Sequence, residues 1–194
     1  MDDKWEHTPS DTIRVSIQSK ERVNNFGDLP YEIQNELREL SCPWDAGSVP
    51  ANAFDNIYRW ERSDGVTTFI ADEHGSKEIF FCDFLNGAAI GHAAIQSASL
   101  IKIFVRLERR HHYEAAHLLI AINDFLQEKD KHLDSGTLTA TSNQEGWRQP
   151  ESYSLAHAVW KKLVDAGLAE PVAKKNGNGL PDQFRFVGSK KAVS

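Results

Sequence analysis

Residues 100–119 read LIKIFVRLERRHHYEAAHLL and contain three segments in a fixed order. An apolar run over residues 100–105, typical of a strand, is followed by a basic turn and then by an amphipathic helix predicted over residues 113–128. The N-terminus of a helix presents free backbone N–H groups and the positive end of the helix dipole. The strand, turn and helix therefore predict a site for a pyrophosphate or similar anion at the turn.

The same segment resembles the acyl-CoA-binding motif of the GNAT N-acetyltransferase superfamily. In that motif a strand ending in Val is followed by four residues and then by Arg/Gln-x-x-Gly-x-Gly/Ala, which opens a helix. Here Val105 ends the strand, and Arg110 and Ala115 occupy the first and last motif positions. Tyr113 stands where the motif has its central Gly. The resemblance implies a GNAT-like fold with its cofactor site at this segment.

The cofactor that the resemblance implies is acetyl-CoA or another acyl-CoA. Its pyrophosphate would lie against the basic turn, and its pantetheine arm would pair along the edge of the strand over residues 101–105. Tyr113 allows two outcomes, because its side chain either fills the phosphate space or points outward and leaves its N–H available. The candidate cofactor-binding residues are Phe104, Val105, Arg109, Arg110, His111, His112, Tyr113, Glu114 and Ala115.

A second family motif, Asn-x-x-Ala-x-x-x-Tyr on a late helix, corresponds to the segment around Ala156, with Trp160 at the position of the Tyr. That Tyr often protonates the departing CoA thiolate in the family. An indole N–H cannot serve as an ordinary acid, so Trp160 is predicted to be a core aromatic residue. The candidate catalytic proton donors are instead Tyr153 and Ser154, near the start of the helix. The candidate general bases are Asp83, His92 and Glu145.

The order of the remaining predicted elements resembles the GNAT topology over nearly the whole chain, and the resemblance implies an α/β protein with a GNAT-like mixed central sheet flanked by helices. Apolar residues alternate at Ile13, Val15 and Ile17 and predict a first strand. Asp28 and Pro30 begin a predicted helix, and a second, short helix is predicted from about residue 48 to residue 60. Further strands are predicted over residues 66–71, 78–85, 88–95, 100–105 and 137–141, with a hairpin turn at residues 86–87. A late helix is predicted to end at residue 166. The last predicted element is a hairpin of residues 168–172 and 183–187. We expect a flexible N-terminus over residues 1–10, one domain over residues 11–188 and a basic tail over residues 189–194.

Charge is unevenly distributed along the 194 residues. The formal net charge is −6, which argues against a surface that coats nucleic acid generally, but residues 160–194 hold seven basic and three acidic side chains. This region is either a solvated basic tail or a surface that meets a nucleic-acid or protein partner. The helix over residues 154–166 and the basic hairpin after it also resemble a winged helix, although the same pattern is the usual last hairpin of a GNAT fold.

Other sequence features bear on the location of the protein and on metal binding. No apolar stretch approaches the ~20 residues of a membrane span, so we expect no membrane partner and a cytoplasmic location. Cys42 and Cys82 lack metal-ligand spacing, and His111, His112 and His117 match no known zinc motif, so no metal is expected. The GNAT resemblance implies an N-acyltransferase that moves an acetyl group from CoA to an amine. The alternative is a catalytically silent GNAT-fold protein that binds a protein or nucleic-acid partner.

Overall fold

Six strands form one sheet in which each strand pairs antiparallel with the next strand along the chain. The computed structural model describes residues 13–41, 53–73, 77–109, 113–136, 138, 150–172, 181 and 183–188, without the side chains of residues 41 and 150–156. The strands are β1 (Ile17–Val23), β2 (Phe54–Arg62), β3 (Thr67–Glu73), β4 (Glu78–Leu85), β5 (Ala88–Gln96) and β6 (Ser99–Val105).

Three helices and a small second sheet complete the described fold. The helices are α1 (Tyr31–Ser41), α2 (Glu114–Gln127) and α3 (Pro150–Asp165), and the short strands β7 (Ala169–Pro171) and β8 (Phe184–Phe186) pair antiparallel. Single 3-10 turns occupy Phe26–Asp28 and Leu107–Arg109. No helix within the described residues is long and apolar enough to cross a membrane.

Two apolar layers lie on opposite faces of the six-stranded sheet. Along β4, Phe80 and Cys82 pack with α1, whereas Phe81 between them packs with α2, because successive strand residues point to opposite faces. The α2 side is the larger layer, and Phe125 of α2 lies there with its ring centroid 5.5 Å from that of Phe81. A sheet covered on both faces explains why β4 and β5 are apolar along most of their length.

The predicted α/β class is confirmed, but the six-stranded sheet is antiparallel and not mixed. All its strands are joined in sequence order, and short turns such as Asn86-Gly87 can join only antiparallel strands. The single parallel pairing among the described residues is the isolated bridge between Ser99 and Asp134. Asp134 also bridges antiparallel to Arg185 of β8.

Several predicted elements are confirmed with small shifts of their ends. The Asn86-Gly87 turn has φ values of 51° and 82° and joins β4 to β5, because both residue types accept positive φ. Helix α2 runs within one residue of its predicted ends. Helix α3 ends at Asp165, one residue before its predicted end, and Gly167, with φ of 72°, allows the Leu168 N–H to bond the Leu163 carbonyl. The predicted strand over residues 137–141 lies almost wholly outside the described residues.

Two predicted elements are wrong. Residues 54–60 of the second predicted helix belong to strand β2, although Phe54, Ile57 and Tyr58 are spaced like a helical face, and residues 48–52 lie outside the described residues. A bulge between Phe54 and Asn56 places Phe54 and Ile57 in the α1 layer, while Tyr58 faces the α2 layer. The first strand begins only at Ile17, the last of the three alternating residues, and Ile13 and Val15 are buried before it. Strand β1 itself is an edge strand with mostly exposed side chains.

Gly91 allows β6 to approach β5 closely, and its replacement tests this contact. A Cβ atom built at Gly91 would lie 2.9 Å from the Phe104 carbonyl oxygen, which is closer than real Cβ contacts. We expect Gly91→Ala to lower the free energy of unfolding by about 1–3 kcal/mol, since β6 must shift. Urea denaturation measures this loss, and hydrogen exchange should show faster exchange of the β6 amides.

Gly27→Ala is the matched control, because a Cβ at Gly27 meets nothing within 4 Å. Its effect should stay within about 0.5 kcal/mol in either direction. Equal stability of the two variants would mean that β6 is not held against β5 as described.

Candidate functional site

Strand β6 forms one edge of the six-stranded sheet and carries the predicted cofactor edge. Its outer side meets the rest of the described chain near Ser99, where the Leu100 N–H donates to the Asp134 carbonyl at 2.8 Å. From Ile101 to Phe104, no described strand pairs with that side. Ile101 and Phe104 are 51% and 44% exposed, so this edge is open and partly apolar. Val105, the last strand residue, is buried.

Tyr113, at the Gly position of the motif, adopts a left-handed backbone conformation with φ of 60° and ψ of 13°. This conformation is unfavourable for a bulky residue, and Gly adopts it without strain. The Tyr113 side chain lies toward the helices: its ring centroid is 6.5 Å from that of His117, and the Lys162 Nζ of α3 lies 4.5 Å from the ring centroid. The side chain is therefore engaged by α2 and α3.

Glu114 and Arg109, both predicted to bind cofactor, pair with each other. Arg109 Nη2 donates to Glu114 Oε1, and Glu114, the first residue of α2, is only 4% exposed. The carboxylate thus lies near the positive end of the α2 dipole, where a negative charge is stabilised. Ala115 is half-buried on the same helix. Arg110, His111 and His112 lie outside the described residues.

The predicted catalytic residues are only partly placed. Tyr153 and Ser154 lie in the first half of α3, and their side chains are outside the description. Trp160 is a buried core residue, as predicted, and it stacks on Phe184 with ring centroids 5.8 Å apart. Among the candidate bases, Asp83 is buried in an ion pair, and Glu145 lies outside the described residues.

Arg62 is the centre of a buried polar network beneath the N-terminus of α2. Its guanidinium is fully buried and donates from Nη1 to Asp83 Oδ2 at 2.6 Å. It also donates from Nε and Nη2 to both oxygens of Asp64, at 3.1 and 2.6 Å. Arg62 Nη2 lies 3.5 Å from Glu114 Oε2, and the Thr68 hydroxyl donates to Asp83 Oδ1 at 2.6 Å. One guanidinium therefore links β2, β3 and β4 to α2.

The charges of this network shift the pKa values of its members in opposite directions. Burial raises the pKa of Asp83, although Arg62 and Thr68 oppose that shift. Burial also acts on Asp64, but hydrogen bonds from His117 and Arg62 outweigh it and hold the pKa of that carboxyl well below its usual range. Burial alone would lower the pKa of Arg62, but the negative charges of Asp83 and Asp64 outweigh that effect and raise it, so the guanidinium stays charged.

Asp64, Glu114 and His117 also have the residue types and spacing of metal ligands, with one ligand atom from each lying within 4.8 Å of the others. A divalent cation there would lie against the Arg62 guanidinium, which is 2.6 Å from Asp64 and 3.5 Å from Glu114. Two cations competing for the same carboxylates repel each other. The cluster is therefore best described as an ion-pair network.

His92, the third candidate base, pairs with Glu36 on the other face of the sheet. His92 Nδ1 lies 2.9 Å from Glu36 Oε2, and the imidazole stacks on Phe104 with ring centroids 5.2 Å apart. Sequence reasoning missed Glu36, Arg62 and Asp64, because most of their contacts are to residues far away in sequence, such as His92, Asp83 and Glu114. Their sequence neighbours gave little signal, since both β2 and α1 also carry other charged residues.

Removing Arg62 should strongly destabilise the protein. We expect Arg62→Met to lower the free energy of unfolding by about 3–5 kcal/mol, because three carboxylates lose a buried counter-charge. The matched control is Arg185→Met, which removes an exposed arginine paired with Glu170 and should cost about 0–1 kcal/mol. Urea unfolding measures both, and similar losses would contradict the central role of Arg62.

Asp64 should make stability dependent on pH in the acidic range. Because its folded-state pKa is lowered, its stabilising contribution is complete above the unfolded pKa of about 4 and is lost as the pH falls through the folded value. The stability difference between the wild-type protein and Asp64→Asn should thus be constant from about pH 7 to pH 5 and shrink below about pH 4. Asp165→Asn, at an exposed pair, is the control, and a pH-independent difference for Asp64→Asn would contradict the assignment.

Comparison with models of protein families, with curated proteins and with solved structures found no match to this chain. The chemistry of the site is therefore inferred from its own contacts. These are an open edge strand, a left-handed residue before a helix N-terminus, a buried ion-pair network and a glutamate–histidine pair beside the edge strand.

Proposed function

We propose that this protein is an acyl-CoA-dependent N-acyltransferase that transfers an acetyl group from acetyl-CoA to an amine. The observation that carries the proposal is the backbone of Tyr113, which adopts the left-handed conformation at the one motif position that calls for Gly. The residue type departs from the motif, whereas the backbone conformation agrees with a Gly-like turn. This supports a phosphate-binding turn between β6 and α2.

The open side of β6 supports the second part of the site. A pantetheine arm carries amide groups that can pair with a free strand edge, and residues from Ile101 to Phe104 offer such an edge among the described strands. The exposed Phe104 and Ile101 side chains would give the arm apolar contacts. The edge leads directly to the turn at Leu107–Arg109, so both halves of an acyl-CoA would meet one continuous stretch of chain.

The bridges of Asp134 support a GNAT-like mixed sheet. Its parallel pairing to Ser99 and antiparallel pairing to Arg185 connect the β6 edge to β8 and, through β8, to β7. We propose that the two sheets form one sheet that splits beyond Ser99. The split would leave the rest of the β6 edge open to the cofactor.

A bound acyl-CoA would supply a thioester carbonyl that an amine can attack. This chain would position that carbonyl along β6, and backbone N–H groups of the strand could stabilise the charge that develops on its oxygen. Tyr153 and Ser154 stay the proposed proton donors to the departing thiolate.

The alternative function, a catalytically silent interaction protein of the same fold, is favoured by one observation. Glu114 already places a buried carboxylate at the N-terminus of α2, and Arg109 is paired with it. A helix end neutralised in this way attracts a pyrophosphate less strongly. The partner would then be a protein or nucleic acid at the basic C-terminal region.

Calorimetric titration with acetyl-CoA and with free CoA separates the two functions. We expect micromolar binding of both ligands by the wild-type protein. Arg110→Glu should weaken binding about ten- to hundredfold, because it removes a charge-assisted contact and adds repulsion. The control is Arg22→Glu, which makes the same charge change at the exposed β1 edge, across the sheet from β6. No binding at millimolar acetyl-CoA would overturn the acyltransferase and favour the silent protein.

A further inference from the structure

The Glu36–His92 pair has the arrangement of an oriented imidazole base. His92 Nδ1 faces Glu36 Oε2 at 2.9 Å, and the two side chains are 13% and 22% exposed. A carboxylate at Nδ1 fixes the ring orientation and leaves Nε2 as the working nitrogen. The contact with His92 lowers the pKa of Glu36 despite its burial, so Glu36 is a carboxylate at neutral pH.

His92 lies directly beside the open edge strand. It is opposite Phe104 in the β5–β6 register, and the partly exposed Phe104 ring stacks on the imidazole at 5.2 Å and 29°. Its Nε2 is buried and makes no hydrogen bond to any residue that the structure describes. A buried nitrogen without a hydrogen-bond partner is unfavourable, and a ligand group that hydrogen-bonds to it would remove this cost.

The neighbouring charged groups leave the imidazole as the group best suited to accept a proton. From β6, Lys102 and Arg106 act on Glu36 and lower its pKa. From β4, Cys82 lies opposite His92 in the register, and burial raises the pKa of its thiol, which stays neutral. From α1, Glu36 is held as the counter-charge. Asp83, another candidate base, is paired with Arg62 on the other face of the sheet.

We infer that His92, oriented by Glu36, accepts the proton of an alkylamine acceptor during acyl transfer at the β6 edge. This inference rests on the proposed function. The amine nitrogen forms a bond to the thioester carbonyl carbon, and the bond from that carbon to sulfur breaks. His92 Nε2 takes the proton that the nitrogen loses, and the departing CoA thiolate receives a proton in turn. The atoms balance as acetyl-CoA plus amine giving an amide plus CoA.

The acceptor class follows from the presence of a base. An alkylamine is protonated at neutral pH, like the lysine side chain with its pKa of about 10, and needs to lose a proton before or during attack. Hydroxylamine is already neutral at pH 7 and needs less assistance. A base at His92 therefore predicts that the site acts on alkylamines and that the two probe amines respond differently to its removal.

The test uses the full chain, acetyl-CoA and two probe amines, butylamine and hydroxylamine. His92→Gln should lower the rate of CoA release with butylamine by about 10²–10⁴-fold. It should leave acetyl-CoA affinity within about threefold of wild type, because cofactor binding does not use the base. It should lower hydroxylamine acetylation much less than butylamine acetylation, because hydroxylamine is already neutral before it attacks. His132→Gln, at an exposed histidine, is the matched control and should change none of these quantities.

Glu36→Gln is the second variant and keeps the imidazole in place if His92→Gln fails to fold. It should lose butylamine transfer by a smaller factor and again affect hydroxylamine much less. If the wild-type protein binds no acetyl-CoA, or acetylates neither amine, the proposed function falls and the inference falls with it. If the wild-type protein is active but the variants lose nothing, or lose both amines equally, the inference alone is overturned.

Discussion

The buried guanidinium of Arg62 is the constraint on which the arrangement of sheet and helix depends. It contacts carboxylates from the β2–β3 turn, from β4 and from the first residue of α2, and each of these contacts fixes the position of a different element. Buried ion pairs are weak evidence for stability, because desolvation offsets much of their attraction. Their stronger effect here is geometric. Asp83 without the guanidinium would be a buried, uncompensated charge, and the same guanidinium lies 3.5 Å from Glu114, so placements of α2 that separate Glu114 from it are disfavoured.

This constraint also determines what the start of α2 can do. Glu114 belongs both to the Arg62 network and to the helix N-terminus that the resemblance assigns to a pyrophosphate. The carboxylate stabilises the helix end and at the same time reduces its attraction for an anion. Tyr113, one residue earlier, stands at the Gly position of the motif and has a left-handed backbone conformation that Gly adopts without strain. Two adjacent residues therefore have opposite implications for cofactor binding: the backbone of Tyr113 favours it, and the carboxylate of Glu114 opposes it.

The two faces of the sheet carry different sets of charged groups. On the α2 face, Arg62, Asp83 and Asp64 satisfy one another and leave little exposed. On the α1 face, the Glu36–His92 pair lies one strand away from the open edge and keeps one imidazole nitrogen without a protein partner among the described residues. Of the two described residues that the sequence analysis named as candidate bases, Asp83 belongs to the Arg62 network, whereas His92 lies near the open edge of the sheet.

Local signals carried the predictions that succeeded. The Asn86-Gly87 turn, the apolar spacing of α2 and the Gly167 end of α3 depend on conformational preferences that residues express wherever they occur. The predictions that failed depended on context. Phe54, Ile57 and Tyr58 are spaced like a helical face, but they lie in strand β2, where a bulge brings Phe54 and Ile57 to the same side of the sheet. The alternating residues Ile13 and Val15 precede β1, and β1 itself has mostly exposed side chains because it is an edge strand.

The sequence by itself determined the α/β class, most helix and strand positions, the role of Trp160 as a core residue and the location of the candidate cofactor segment. Only the tertiary structure decided that the sheet is an antiparallel meander, that Arg62 joins three carboxylates and that Glu36 meets His92 across 56 positions of chain. The physical reason is the range of the interactions. Turn and helix preferences act between neighbours in sequence, whereas ion pairs and strand order depend on packing that brings distant residues within a few ångströms.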